Sequence, residues 1–169
     1  MQSESARMSS GAEARFRIDA PNSTPRRVKI VALDRASEAV VASLARRPWN
    51  NASFFTASAF AGAPPERGFS MQGWLADLTG RTRDLIDEVD SADLVVMVAA
   101  AGEDAGAAAL IGEACSLRRV NTTGLILSGP SIADDTLSKT LAQLRPWYLM
   151  LVIAEGEDYV EDMLRALRA

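Results

Sequence analysis

The chain of 169 residues contains no histidine. This absence excludes Ser-His-Asp and Cys-His nucleophile systems, zinc sites that use histidine, and the commonest acid–base group near neutral pH. A single cysteine, Cys115, rules out an intrachain disulfide and a cysteine-rich zinc site, and it suits a reducing compartment. We therefore predict a cytoplasmic protein. Any chemistry would use carboxylates, Arg, Lys, Tyr, Ser, Thr or a metal bound by oxygen.

The sequence also has no dense run of Lys and Arg and no long apolar run. Its formal net charge is −4 and its pI is about 4.9, which disfavours general binding to nucleic acid. No apolar run approaches the ~18 residues of a membrane span. We therefore predict neither a nucleic-acid partner nor membrane association.

The first 17 residues contain no Val, Ile or Leu. This composition predicts a flexible N-terminal tail, which we place over residues 1–25. The rest of the chain, residues 26–169, is predicted to form a single domain. Since 48% of the residues are hydrophobic, one sizeable core is expected, as in domains of roughly 100–150 residues.

Short apolar runs alternate with segments that have apolar residues at helical spacing. The runs predict strands within residues 26–34, 52–60, 93–101, 122–129 and 147–156. The helical spacing predicts helices over residues 35–49, 106–117, 134–144 and 157–169, and one or two helical segments between 72 and 90. This alternation indicates an α/β domain: a three-layer, doubly wound (Rossmann-like) sheet, mainly parallel, with about five strands and helices on both faces.

The order of these segments resembles the nucleotide-binding half of the tubulin/FtsZ family. The resemblance rests on "VKIVALDRASEAVVASL", "ASFFTASAF" and "LIDEVDSADLVVMVAAAGEDAGAAALIGEACSLRRVNTTGLILSG", over roughly residues 27–129. It implies a nucleotide-type site at the glycine turn and a subunit that self-assembles. Where the family has the glycine run GGGTGTG, this chain has "AGEDAGA", with only Gly102 and Gly106. The resemblance therefore implies a degenerate site.

In a doubly wound sheet, ligands bind beyond the carboxyl ends of the strands. The candidate ligand-binding residues follow three of the predicted strands: Asp34, Arg35, Ser37, Gly102, Glu103, Asp104, Gly106, Ser128 and Gly129. The carboxylates among them have two interpretations. They cap helices and stabilise the helix dipole, repelling a phosphate unless a cation intervenes. Alternatively, Asp34, Glu103 and Asp104 hold Mg²⁺ through oxygen.

Three further side chains lie in or beside a loop rich in Gly and Pro. Phe69, Met71 and Trp74 are candidate partner-binding residues that form a lid or a docking patch, the alternative being ordinary packing. Cys115 lies in a helix with apolar neighbours, and we predict a buried structural thiol. No catalytic residue is assigned.

Three functions fit these observations. The first is a non-catalytic binding or regulatory domain with a degenerate nucleotide-type site, which recognises a partner protein or a small molecule and requires no cofactor. The second is a Mg-dependent, GTPase-like enzyme that binds a nucleotide. The third is a self-assembling, FtsZ-like subunit. A protein partner or a homo-oligomer is expected from the first and third.

Overall fold

The structure is a computed structural model that describes residues 26–60 and 75–169. The predicted tail over residues 1–25 and the candidate partner-binding residues Phe69, Met71 and Trp74 lie outside the described residues. Within the described ranges, no helix combines the length and apolar character needed to cross a membrane.

In this part of the chain, seven strands form one sheet in the order β4-β3-β2-β1-β5-β6-β7. They are β1 (Val28–Ala32), β2 (Ala52–Thr56), β3 (Leu75–Asp77), β4 (Thr82–Arg83), β5 (Leu94–Ala100), β6 (Asn121–Leu127) and β7 (Met150–Ala154). The run β2-β1-β5-β6-β7 is parallel, whereas β3 and β4 are added antiparallel at one edge. The predicted doubly wound, mainly parallel sheet is confirmed. Its strand count is seven rather than about five.

Within the described residues, five α-helices cover the sheet on both faces, as predicted. They are α1 (Arg35–Leu44), α2 (Leu85–Asp90), α3 (Ala107–Arg118), α4 (Asp134–Leu144) and α5 (Glu157–Ala166). Two short 3-10 helices, Ser58–Phe60 and Arg145–Trp147, follow β2 and α4. Because strand side chains alternate between faces, the core divides into two clusters. One joins the sheet to α1 and α5, and the other joins it to α2, α3 and α4.

The segment between residues 75 and 84 is not helical, contrary to the sequence prediction. Here the chain forms the β3–β4 hairpin, and its turn places Gly80 at φ +83°. The Asp77 carboxylate accepts hydrogen bonds from the backbone N–H groups of Thr79 (2.9 Å) and Arg81 (3.0 Å). Asp84 then caps α2. These local bonds compete with a continuous helix although the apolar spacing suits one.

Candidate functional site

The switch point of the sheet lies between β1 and β5, because the chain leaves β1 towards β2 on one side and returns to β5 on the other. In doubly wound sheets this crevice, at the carboxyl ends of the strands, is the usual ligand site. Asp34 follows β1 at this point, and Ala100 ends the neighbouring strand β5. The sequence prediction that Asp34 lies at the rim therefore agrees with the topology.

Both carboxylate oxygens of Asp34 are engaged within the protein. One accepts a hydrogen bond of 2.8 Å from the backbone N–H of Ser37, and the other accepts a bond of 2.8 Å from the N–H of Ala100. The Ser37 side chain completes a capping box with the Asp34 backbone at the start of α1. Asp34 is only 3% exposed, so this carboxylate connects the ends of β1 and β5 from a buried position.

The candidate residues after β1 therefore separate into two groups. Asp34 and Ser37 are buried and bonded to each other, whereas Arg35 points away from the core and is exposed. The geometry matches the helix-capping interpretation of Asp34. It leaves no carboxylate oxygen of Asp34 without a hydrogen-bond donor.

The turn between β5 and α3 also satisfies its own backbone groups. Gly102 adopts φ +88°, and its N–H donates to the Thr140 hydroxyl at 3.0 Å. A Cβ at Gly102 would lie 2.9 Å from the Thr136 methyl group, so close packing against α4 adds to the need for glycine. The Asp104 carboxylate accepts from the Gly106 N–H at 2.9 Å. Both glycines of "AGEDAGA" therefore already donate their N–H groups.

The rim residues line two separate shallow pockets rather than one site. Gly102 and Glu103 border a pocket of about 200 Å³, which is completed by Thr136, Lys139, Thr140 and Gln143. Ser128 and Gly129 border another of about 190 Å³, completed by Val40, Leu127, Ala154, Glu155, Gly156 and Glu157. Asp104 and Gly106 line neither pocket. Within residues 26–60 and 75–169, no group of three or more acidic or cysteine side chains is arranged to hold a metal ion.

A larger pocket, of about 360 Å³, lies at the opposite, amino end of β6 and β7. It is lined by Gly112, Ser116, Arg119, Val120, Asn121, Thr122, Pro146, Trp147, Tyr148 and Leu149. Two glycines make room for the aromatic side chains beside it. A Cβ at Gly112 would lie 2.8 Å from the Trp147 Cβ, and one at Gly124 would lie 2.9 Å from the Tyr148 ring.

The Tyr148 hydroxyl is buried and has no hydrogen-bond partner among the described residues. Burial raises the pKa of this phenol above its usual value. Sequence analysis did not identify this pocket, because Gly112 and Gly124 are far in sequence from the rings they accommodate. Two features of the sequence could have indicated the pocket. Gly112 lies inside a predicted helix and Gly124 lies inside a predicted strand, and neither glycine is beside an obvious turn.

Cys115 is buried beneath the sheet, as predicted, and is a free thiol. Desolvation raises the pKa of the Cys115 thiol to about 12. Because the thiolate is the nucleophilic form, burial and the raised pKa both disfavour reaction of this cysteine near neutral pH.

No protein-family model matches the chain, and a search of curated proteins finds no match. Two regions of the molecule carry the candidate functional groups. The rim at the carboxyl ends of the strands holds carboxylates and backbone amides that bond to one another. The amino-end pocket combines an aromatic wall with the exposed Arg119.

Proposed function

We propose that this chain is a non-catalytic binding or regulatory domain. The buried carboxylate of Asp34 occupies the crevice in which a nucleotide phosphate would otherwise bind. The observation that carries the proposal is Asp34, which accepts hydrogen bonds from Ser37 and Ala100 at the switch point. A phosphate cradle needs backbone N–H groups that are free to receive an anion at a helix start. Here a buried carboxylate already occupies that position.

The glycine turn supports the same proposal. The N–H groups of Gly102 and Gly106 donate to Thr140 and Asp104. Glu103 and Asp104 are exposed beside the turn and add negative charge where a phosphate would approach. A ligand phosphate would have to displace these bonds and overcome this charge.

The proposal is tested by thermal shift of the purified full chain with GTP, GDP, ATP and NAD, each with and without Mg²⁺. A ligand that binds only the folded state raises the melting temperature by mass action. We expect no shift with any of the four. A rise with a guanine nucleotide and Mg²⁺ would instead support the GTPase-like alternative, with metal bridging the rim acids.

Substitution of Asp34 separates a structural role from a ligand-binding role. Asp34→Ala removes a helix cap and leaves the Ala100 N–H without its acceptor, so we expect a loss of about 2–3 kcal/mol in the free energy of unfolding. The control Asp104→Ala, at an exposed turn, should cost ~1 kcal/mol or less. Denaturant unfolding measures both. Equal stability of the two variants would contradict the structural role of Asp34.

A second candidate function is binding of a small aromatic anion in the amino-end pocket. The pocket volume of about 360 Å³ falls within the range of ligand sites, and its lining includes both Trp147 and the cationic residue Arg119. Benzoate and indole-3-acetate are suitable probes. We expect them to raise the melting temperature of the native chain and of Arg35→Ala, but not of Arg119→Ala. No shift in the native chain would reject this candidate.

A further inference from the structure

Strand β7 ends the sheet and pairs only with β6 among the described residues. The strand, "MLVIA", contains no charged residue and no proline. At its carboxyl end, the Ala154 carbonyl accepts a hydrogen bond of 2.9 Å from the Ser128 N–H, which follows β6, and Ala154 is paired with Leu127. Because backbone groups alternate along a strand, Met150, Val152 and Ala154 direct their backbone groups towards β6, and the N–H groups of Leu151 and Ile153 face away from it. This edge therefore offers hydrogen-bonding groups for a further strand.

Apolar side chains are exposed along the same edge. Leu149 is 78% exposed, Ile153 is 41% exposed and Met150 is 38% exposed. They make up half of the large exposed apolar side chains in the described part of the chain, the others being Leu78, Leu117 and Tyr159. An open strand edge that also carries exposed apolar groups has the features of a pairing surface.

The two ends of β7 carry opposite charge. At its amino end, Arg145 begins the preceding 3-10 helix, and Arg119 lines the same pocket as Leu149. At its carboxyl end, Glu155 and Asp158 are exposed. Within residues 26–60 and 75–169, none of these four side chains forms an ion pair. Charge therefore runs from positive to negative along the strand.

We propose that β7 is the interface of a homodimer, in which it pairs antiparallel with β7 of a second copy about a two-fold axis near Val152. Such an isologous contact uses the same patch on both copies. Antiparallel pairing brings the basic end of each strand to the acidic end of the other, whereas parallel pairing would oppose like charges. Backbone hydrogen bonds join the two sheets, and Ile153 and Met150 pack across the contact.

This inference goes beyond the proposed function, because the β7 edge does not include the rim at Asp34. The nucleotide screen and the association experiment therefore succeed or fail independently. Binding of GTP would overturn the proposed function without affecting the dimer, and a monomeric chain would overturn the dimer without affecting the rim.

Sedimentation equilibrium of the full chain over a concentration series tests the interface. We expect the native chain to dimerise and Ile153→Lys to be monomeric. The matched control is Leu78→Lys, since Leu78 is 38% exposed in the hairpin turn at the other edge. This control should dimerise like the native chain. A monomeric native chain, or an Ile153→Lys dimer of native strength, would overturn the proposal.

Ile153→Pro provides a second variant if Ile153→Lys fails to fold. The Ile153 N–H faces away from β6, so proline at this position removes an outward N–H without breaking a bond to β6. Circular dichroism checks that the fold is retained. We expect a folded monomer, and a folded dimer of native strength would contradict pairing through the β7 backbone.

A charge exchange tests the antiparallel orientation. Arg145→Glu and Glu155→Arg each bring like charges together twice in the dimer, so we expect each to raise the dissociation constant about tenfold. An equal mixture of the two variants restores opposite charges in a heterodimer and should regain native affinity. If neither variant weakens association, or if the mixture remains weak, the antiparallel orientation is wrong.

Discussion

The two edges of the sheet differ in length and in chemistry. β4 has two residues, Thr82 and Arg83, both exposed, and Arg83 forms an ion pair of 3.4 Å with Asp77. β7 has five residues, all apolar, and Met150 and Ile153 are partly exposed. A short, charged edge disfavours the addition of another strand, whereas a longer uncharged edge leaves it possible. The described residues therefore disfavour the addition of a further strand at the β4 edge but not at the β7 edge.

The edges also differ in what holds them in place. The hairpin at the β4 edge depends on bonds between residues close in sequence, from Asp77 to Thr79 and Arg81. β7 depends on packing between distant residues, because Gly124 of β6 lies beside Leu151 of β7. Substitutions at the β4 edge should therefore affect mainly the stability of the hairpin. Substitutions of residues that pack against β7 should lower the free energy of unfolding of the whole domain.

Among substitutions that compare the two edges, the largest expected effect is at Gly124. A Cβ there would lie 2.5 Å from the Leu151 side chain and 2.9 Å from the Tyr148 ring. Gly124→Ala should therefore lower the free energy of unfolding by about 1–3 kcal/mol. The control Gly129→Ala has no atom within 4 Å of the added Cβ and should change stability by about 0.5 kcal/mol or less. Urea unfolding measures both, and equal values would show that β7 does not pack closely on β6.

A smaller effect is expected at Gly80 in the β3–β4 turn. The added Cβ has open space, so the cost of Gly80→Ala comes only from the backbone at φ +83°. We expect about 1 kcal/mol, measured by urea unfolding. Gly80→Asn should cost less, because Asn tolerates the left-handed conformation. Equal costs for Ala and Asn would argue against this conformational origin.

Lowering the pH should destabilise the β3–β4 hairpin before it affects β7. Hydrogen bonds from the Thr79 hydroxyl and the Arg81 N–H lower the pKa of Asp77 to about 2. A carboxylate with a lowered pKa stabilises the folded state fully above its ordinary pKa of about 3.9, and this contribution is lost as pH falls towards 2. We expect the protection of the Thr79 and Arg81 amides against exchange, relative to their intrinsic exchange rates at each pH, to fall over that interval. β7 contains no titratable residue.

Two variants serve as controls for this titration. Asp77→Asn should remove the pH dependence at the hairpin. The Asp93 carboxylate, whose pKa the Arg27 side chain lowers to about 2, titrates in the same interval at the amino end of β5. Asp93→Asn should therefore leave the hairpin signals unchanged. If it abolishes them, the titration reports on global unfolding rather than on the β4 edge.

The smallest expected effect is the change in the free energy of unfolding that the two lysine substitutions cause in the monomer. At concentrations too low for association, Leu78→Lys and Ile153→Lys each replace an exposed apolar side chain and should change the free energy of unfolding by about 0.5 kcal/mol or less. Dilute thermal unfolding followed by circular dichroism measures this. A large loss for Ile153→Lys alone would show that Ile153 contributes to the fold of the monomer.

Much of the chain could be predicted from its sequence because the relevant signals are local. The helix over Asp134–Leu144 forms with the predicted bounds, and each of the five predicted strand segments contains a parallel strand. The β3–β4 hairpin was not predicted. Its residues have helical apolar spacing, and the hydrogen bonds of Asp77 that oppose a helix depend on the turn being formed.

The amino-acid sequence by itself determined the α/β class, the absence of histidine chemistry and the position of Asp34 after the first strand. Periodicity and composition suffice for these, since each depends on neighbouring residues. Only the tertiary structure decided that Asp34 bonds to Ala100, which is 66 residues away. It also decided that Gly112 and Gly124 accommodate Trp147 and Tyr148, and that β7 forms an open edge. These features depend on strand order and close packing, which bring together residues that no local pattern relates.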